Sequence, residues 1–206
     1  MKNKKAFFFD LGQTVIRFSW GEAIKRLAAE TAAPDAKHFR SIEALSHAIG
    51  YIEYELGNVS TETFFTRFSD IVGFRGGLDC LMHIYNDIFT AWPEREALLE
   101  KLRPKYRLAA VSNTSEAHIL HVEQHFSVLN FFEEKIYSFD VHTRKPDRPI
   151  YEIALQKLGV SPEESVFVDD LEANCHTAAS MGFETVHLLN DTDLEQEFIK
   201  RGWLQS

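Results

Sequence analysis

Four short polar clusters hold the residues best suited to chemistry: FFFDLGQT (Phe7–Thr14), VSNT (Val111–Thr114), RKPD (Arg144–Asp147) and VFVDDLEAN (Val166–Asn174). Asp10 and Asp170 offer two hard carboxylate oxygens, the minimal protein share of a Mg2+ site that keeps waters and a substrate phosphate. Ser112 and Asn113 supply a hydroxyl and backbone N–H groups at the expected start of a helix, where anions bind readily. Lys145 adds a compact positive charge for phosphate oxygens. An anion held by Mg2+, an ammonium and N–H groups, and facing a carboxylate, is set up for nucleophilic displacement at phosphorus.

Each cluster needs an element to position it. The apolar runs AFFF (Ala6–Phe9), LAAV (Leu108–Val111) and SVFV (Ser165–Val168) stop at Asp10, at Ser112 and Asn113, and at Asp169 and Asp170. Short continuous apolar runs bounded by polar residues read as fully buried strands of a parallel sheet. Ligands of such sheets bind beyond the carboxyl ends of the strands, the edge to which these runs deliver their polar residues. From Pro93 onward the pattern alternates: helix 94–103, strand 106–111, helix 116–126, strand 135–138, helix 149–158, strand 166–168, helix 173–181, strand 185–188 and a last amphipathic helix at 194–199. That alternation predicts an α/β fold, a Rossmann-like parallel sheet with helices on both faces.

Between the first strand and Thr90 the apolar residues keep helical spacing. Ala23, Ile24, Leu27 and Ala28 form one set ending near Pro34, and Phe39, Ile42, Leu45 and Ile49 form another running to Gly57. Ser60 is a suitable N-cap for a helix carrying Phe64, Phe65 and Phe68 that stops at Gly73, and a further helix runs from Leu78 to Phe89. No strand is expected in this stretch. It is too long for a loop, so residues 16–90 are expected to be an inserted helical-bundle cap, with 1–15 and 91–206 forming the α/β core.

Composition narrows the function class. In 206 residues the net charge is −9, with 45% hydrophobic and 26% charged residues. A nucleic-acid partner is not expected, because no basic stripe interrupts that negative balance. The one basic run, Lys2–Lys5, reads as a solvated terminus rather than part of a secretory signal. No window approaches the roughly 18 apolar residues of a membrane span. Cys80 and Cys175 lie far apart without CxxC spacing and read as free thiols, so a cytoplasmic protein is expected, monomeric or homodimeric.

The four clusters, in this order and at these strand ends, resemble the four motifs of the haloacid dehalogenase superfamily, most of whose members are phosphatases. The resemblance covers the whole chain, and the insertion after the first cluster stands where that family carries a helical cap. TRKPDRPIY (Thr143–Tyr151) is similar to the third motif of the subfamily holding sugar-phosphate phosphatases and the phosphatase domain of soluble epoxide hydrolase. The resemblance implies that Asp10 is the nucleophile forming an aspartyl-phosphate and that the Gly12 carbonyl and Asp170 bind Mg2+. Asp169 would stand behind them orienting waters, and Asn174 would support Lys145 or the metal. Leu11, Gly12, Ser112, Asn113 and Lys145 would hold the phosphoryl group of a small phosphorylated metabolite.

One position departs from the pattern. Most phosphatases of the family carry a second aspartate where this chain has Gly12, acting as acid toward the leaving alcohol and as base toward water. A positioned acid or base is worth about 10²–10⁴ in rate. The expectation from Gly12 alone is a strong preference for good leaving groups. Two alternatives stay open: a non-catalytic phosphate-binding protein, and a metal-independent dehalogenase, against which the acidic pair Asp169–Asp170 counts.

The remaining candidates have simpler readings. His118, His121 and His125 share a helical face at i, i+3 and i+7, but no carboxylate or cysteine at ligand spacing accompanies them, so a solvated or partly packed face is expected. Phe7, Phe8 and Phe9 read as core strand, and Phe64, Phe65 and Phe68 as cap core. Trp20, Tyr51 and Tyr54 are candidates for lining a substrate pocket.

Overall fold

The computed structural model describes residues 4–31, 42–189 and 192–205. Pro34, Phe39 and Lys2, each used above, lie outside the described residues. In chain order the elements begin β1 (Ala6–Phe9), β2 (Arg17–Phe18), α1 (Gly21–Ala29), α2 (Ile42–Ile49), α3 (Tyr51–Glu55), α4 (Thr61–Val72), α5 (Leu78–Asn86) and β3 (Phe89–Thr90). They continue with α6 (Pro93–Leu102), β4 (Arg107–Ser112), α7 (Glu116–His125), β5 (Glu134–Tyr137), α8 (Ser138–Val141) and α9 (Arg148–Leu158). The chain closes with β6 (Ser165–Asp169), α10 (Glu172–Ser180), β7 (Glu184–His187) and α11 (Leu194–Lys200).

β1 is the centre of a five-stranded parallel sheet of order β5-β4-β1-β6-β7. Its register sets Phe9 beside Ala110 of β4 and Val168 of β6, so the three polar strand ends emerge side by side. The order reverses at β1, and that switch point is where an open α/β sheet leaves a crevice beyond its carboxyl ends. Successive strand residues face opposite sides. Phe7 and Phe9 pack with α6, α7 and α11 residues such as Leu99, Val122 and Phe198, whereas Ala6 and Phe8 pack with Tyr151, Ala154 and Ala178 of α9 and α10. Phe7, Phe8 and Phe9 are all fully buried, and Phe7 has Tyr106, Phe198 and Trp203 centred 4.8, 5.2 and 5.2 Å away. Lys4 and Lys5, expected to be solvated, instead pair with Glu184 and Glu164 beside the start of β1.

The residues between β2 and β3 form α1–α5, packed around their own cluster of Leu27, Tyr54, Phe64, Phe65, Phe68 and Tyr85, with Ala117 of α7 contributing from the sheet side. Ser60 caps α4 by accepting from the Thr63 N–H at 3.2 Å. The stretch expected to run as one helix to Gly57 is two helices, because Gly50 adopts φ 74°, a left-handed conformation that ends a helix and that glycine enters without Cβ strain. α5 ends at Asn86 rather than Phe89, because Phe89 pairs with Phe18 in an antiparallel ribbon where the chain leaves the sheet and returns to it. Two-residue strands carry too little periodicity to be seen in sequence.

The face of His118, His121 and His125 is partly packed: His118 is buried, His121 half-buried and His125 exposed. The His118 ring stacks on Tyr85 at 4.2 Å between centroids, and Nε2 lies 3.3 Å from the Tyr85 carbonyl oxygen. Burial pushes its pKa down to about 3. The unfolded chain therefore takes up a proton here that the native one refuses, so stability is lost as pH falls from about 6.5 toward 3, by about 5 kcal/mol in all. We expect His118→Phe to lower the proton uptake on unfolding at about pH 5 by about one. Urea unfolding across pH measures this; an unchanged dependence would mean that the native ring is protonated.

Candidate active site

The three polar strand ends converge on one side chain. Lys145, 2% exposed, donates from Nζ to Asp10 Oδ1 at 2.6 Å and to Asp169 Oδ2 at 2.7 Å. Lys145 is thus an interior ammonium between two carboxylates on neighbouring strands. Burial alone would lower its pKa, but the charges of Asp10 and Asp169 outweigh burial and hold it up. Asp10 shows the opposite balance. Burial raises its carboxyl to about 7 against the pull of Lys145, with Asp169 and Asp170 adding to the rise.

Asp169 is fully buried and has every oxygen engaged. Asn174 donates to both carboxylate oxygens at 2.9 and 3.0 Å, and the Leu171 N–H donates to Oδ1 at 2.9 Å. Asn174 therefore holds Asp169, and reaches Lys145 only through it. Asn113 acts by a route that spacing did not reveal. Its side-chain amide donates to the Lys145 carbonyl and accepts from the Lys145 N–H, both at 2.8 Å, clamping the backbone that carries the ammonium.

Ser112 is the last residue of β4 and is buried, with Leu11, Gly12 and Asn113 beside it along one cavity. It does not cap a helix. α7 starts at Glu116 with Ser115 at the N-cap, because the chain runs extended through Asn113 and Thr114 before it coils.

Gly12 sits in a tight loop in which the Leu11 carbonyl accepts from the Val15 and Ile16 N–H groups. A Cβ at Gly12 would lie 2.7 Å from Cε1 and 3.1 Å from Cδ1 of the Phe18 ring, the first too close for real atoms unless that ring shifts. The space for a second aspartate is filled by β2.

Asp10, Asp169 and Asp170 can place one oxygen each within 4.8 Å of one another, the group of this kind found among the described residues. His118, His121 and His125 form no such group. Three hard carboxylates facing one ammonium leave negative charge in surplus, and burial together with Asp169 raises the Asp170 carboxyl. With Asp169 committed to Lys145, Asn174 and the Leu171 N–H, the oxygens of Asp10 and Asp170 are the ones that fit a divalent cation of the Mg2+ type.

The cavity beside this cluster has a volume of about 140 Å³ and lies between the sheet edge and the inserted helices. Of the three candidates for lining a pocket, Trp20 and Tyr51 line it. Tyr54 does not: its hydroxyl lies 2.8 Å from Thr61 Oγ1 and accepts from the Ala117 N–H, inside the helical cluster. Glu55, which spacing did not single out, does line the cavity. Below it the Ser138 hydroxyl bridges the Glu55 and Thr114 carbonyls at 2.7 and 3.1 Å and accepts from the Thr114 N–H. Neither residue sits in a motif; they meet through contacts 83 and 24 residues apart in the chain.

A D-ribitol-5-phosphate phosphatase of Bacteroides thetaiotaomicron is 25% identical over 205 residues, covering 94% of this chain and 96% of that protein. An (S)-2-haloacid dehalogenase 4A of Burkholderia cepacia is 29% identical over 127 residues, 61% of this chain and 54% of that one. A haloacid dehalogenase family enzyme of Bacteroides thetaiotaomicron, solved in complex with magnesium and inorganic phosphate, superposes with a TM-score of 0.83 over 95% of this chain and all of its own, at 23% identity. Residues 4–182 match the family described as haloacid dehalogenase-like hydrolase, with Asp10, Ser112, Lys145 and Asp169 all inside the matched span, and the chain belongs to that family of hydrolases.

Proposed function

We propose that this protein is a Mg2+-dependent phosphatase of a small phosphorylated metabolite, of the sugar- or polyol-phosphate class, working through an aspartyl-phosphate. The observation that carries the reading is the Lys145 ammonium shared between Asp10 and Asp169 at the sheet edge whose Leu11, Gly12, Ser112 and Asn113 line a cavity reaching to the inserted helices. A dianionic phosphoryl group suits such a site, because a fixed ammonium and a metal both neutralise its oxygens. The D-ribitol-5-phosphate phosphatase, alike over nearly its full length, supports the substrate class.

In this reading Asp10 attacks phosphorus, Ser112 and the backbone at Leu11, Gly12 and Asn113 hold the phosphoryl oxygens, and Lys145 balances their charge. Asp169 and Asn174 keep Lys145 aimed. Asp10, Asp170 and the Gly12 carbonyl would hold Mg2+, which when bound polarises the phosphoryl group and offsets its charge. Residues 16–90 act as a cap that shields the site from bulk water, over a core of residues 1–15 and 91–206. Among the described residues no helix is long and apolar enough to cross a membrane, and the net charge of −9 disfavours nucleic-acid substrates. Intact nucleophile, ammonium and carboxylate cluster favour catalysis over mere phosphate binding, and the acidic cluster disfavours dehalogenation, which needs no cation.

Asp10→Asn keeps the side-chain shape and removes the attacking anion. In a screen of phosphorylated metabolites scored by phosphate release, we expect its turnover to fall to background while the fold is retained. Activity above a few per cent of wild type would contradict the covalent route.

Mg2+ should also stabilise the fold, because it relieves repulsion among carboxylates that the native state holds together. At 100 times its Kd the gain is about 2.7 kcal/mol, or about 5–10 °C in Tm for a chain of this size. Asp170→Ala is expected to abolish that shift, and a shift of unchanged size would place the cation elsewhere.

A further inference from the structure

In an in-line displacement the attacking and leaving oxygens stand on opposite sides of phosphorus. Asp10 attacks from the sheet edge, so the leaving oxygen points away from it, into the cavity roofed by α3 and the chain around Trp20. The proton it needs cannot come from position 12, where there is no carboxyl and where Phe18 closes the space. Among the described residues lining the cavity, the titratable side chains are Tyr51, Glu55 and His118. His118 is held neutral by burial, with one ring nitrogen turned to a carbonyl oxygen, and burial raises the Tyr51 phenol well above its ordinary range, too weak an acid for the task. Glu55 remains.

Its environment suits the task. Glu55 is 4% exposed, and its Oε2, although 3.2 Å from Nη2 of Arg144, has no hydrogen-bond partner. A buried carboxylate oxygen that an ion pair approaches but no hydrogen bond satisfies is costly beside a cavity unless a ligand group or a proton meets it. Tyr51 reaches the same carboxyl by a side-chain hydrogen bond and is itself linked to Tyr85, whose hydroxyl lies 3.2 Å from Ser115 Oγ. The Glu55 main chain is pinned by Ser138, so the carboxyl is carried on a fixed support.

We propose that Glu55 takes the place of the missing second aspartate as the acid and base of the reaction. This rests on the phosphatase reading above. In the first half, an Asp10 oxygen bonds to phosphorus, the ester P–O bond breaks, and the Glu55 carboxyl gives its proton to the departing oxygen. In the second half, water attacks phosphorus, the Asp10–phosphorus bond breaks, and the Glu55 carboxylate takes the proton from water. One ester and one water yield one alcohol and one phosphate, with both side chains restored. Burial lifts the Glu55 carboxyl above the usual range, against Arg144, Tyr51 and Lys145, which pull it back. A raised carboxyl is the usual condition for such a donor near neutral pH.

The test is kcat/KM for phosphate monoesters graded by leaving-group pKa, with Mg2+ present, on the wild type and on Glu55→Gln. That substitution preserves side-chain shape and the main-chain bond to Ser138. The wild type should show a shallow dependence. In Glu55→Gln alkyl esters should lose about 10²–10⁴-fold while para-nitrophenyl phosphate stays within a few-fold, because its leaving group departs unaided. The variant should also give a burst of para-nitrophenolate matching the enzyme concentration, followed by slow turnover, since water attack has lost its base. A steep wild-type dependence, or an equal loss on every ester in Glu55→Gln, overturns the assignment and leaves the phosphatase reading standing. A wild type that cleaves no ester overturns both.

Discussion

An ammonium with almost no exposure must be surrounded by compensating charge, and the Lys145 ammonium is surrounded by Asp10 and Asp169. Moving such an ion out of water costs several kcal/mol, and removing one partner of a buried pair leaves the other uncompensated. The pair is possible only because β1 and β6 are neighbours in register, which puts residue 10 and residue 169 on adjacent strand ends. Asn174 and the Leu171 N–H then saturate Asp169, and Asn113 holds the backbone of Lys145. The sheet order, the loop after β5 and the start of α10 thus answer to one buried charge.

The same economy governs the other side of the cavity. The inserted helices have a core of their own, which Ala117 of α7 joins, and they also meet the sheet edge through polar contacts. Ser138 joins Glu55 and Thr114, and the Leu56 carbonyl meets the His142 ring at 2.8 Å. Gly57 lies so close to the Phe139 carbonyl that no Cβ could be added, which lets α3 approach α8 nearly backbone to backbone. Whatever enters the cavity therefore meets two walls: a sheet edge that offers the Ser112 hydroxyl and the Asn113 amide, and a helical roof that carries aromatic rings and one carboxyl.

Most of the sheet was legible in the sequence because buried parallel strands are short apolar runs that end abruptly at polar residues. AFFF before Asp10 and SVFV before Asp169 state both the strand and its functional end. The family resemblance placed Asp10, Ser112, Lys145 and Asp170 in one site, and the structure brings their strand ends and loops to one edge. Contacts between residues distant in the chain were not legible. The β2–β3 ribbon has two residues per strand, and the Asn113 clamp on Lys145 spans 32 residues and depends on a side chain rather than a pattern. Glu55 lay hidden because a carboxylate on an amphipathic helix normally faces water; only the packing of α3 on α8 buries it. Gly12 was visible as a departure, but its cause was not, since the ring that fills its space comes from Phe18 across a tight turn.

In the proposed reaction Asp10 carries the phosphoryl group between the two halves. Turnover of a cleaved ester quenched in acid, followed by mass analysis of the peptides, measures this directly. A phosphoryl group on the peptide containing Asp10, discharged by hydroxylamine as acyl phosphates are, is the predicted result. A phosphoryl group on any other side chain would contradict it.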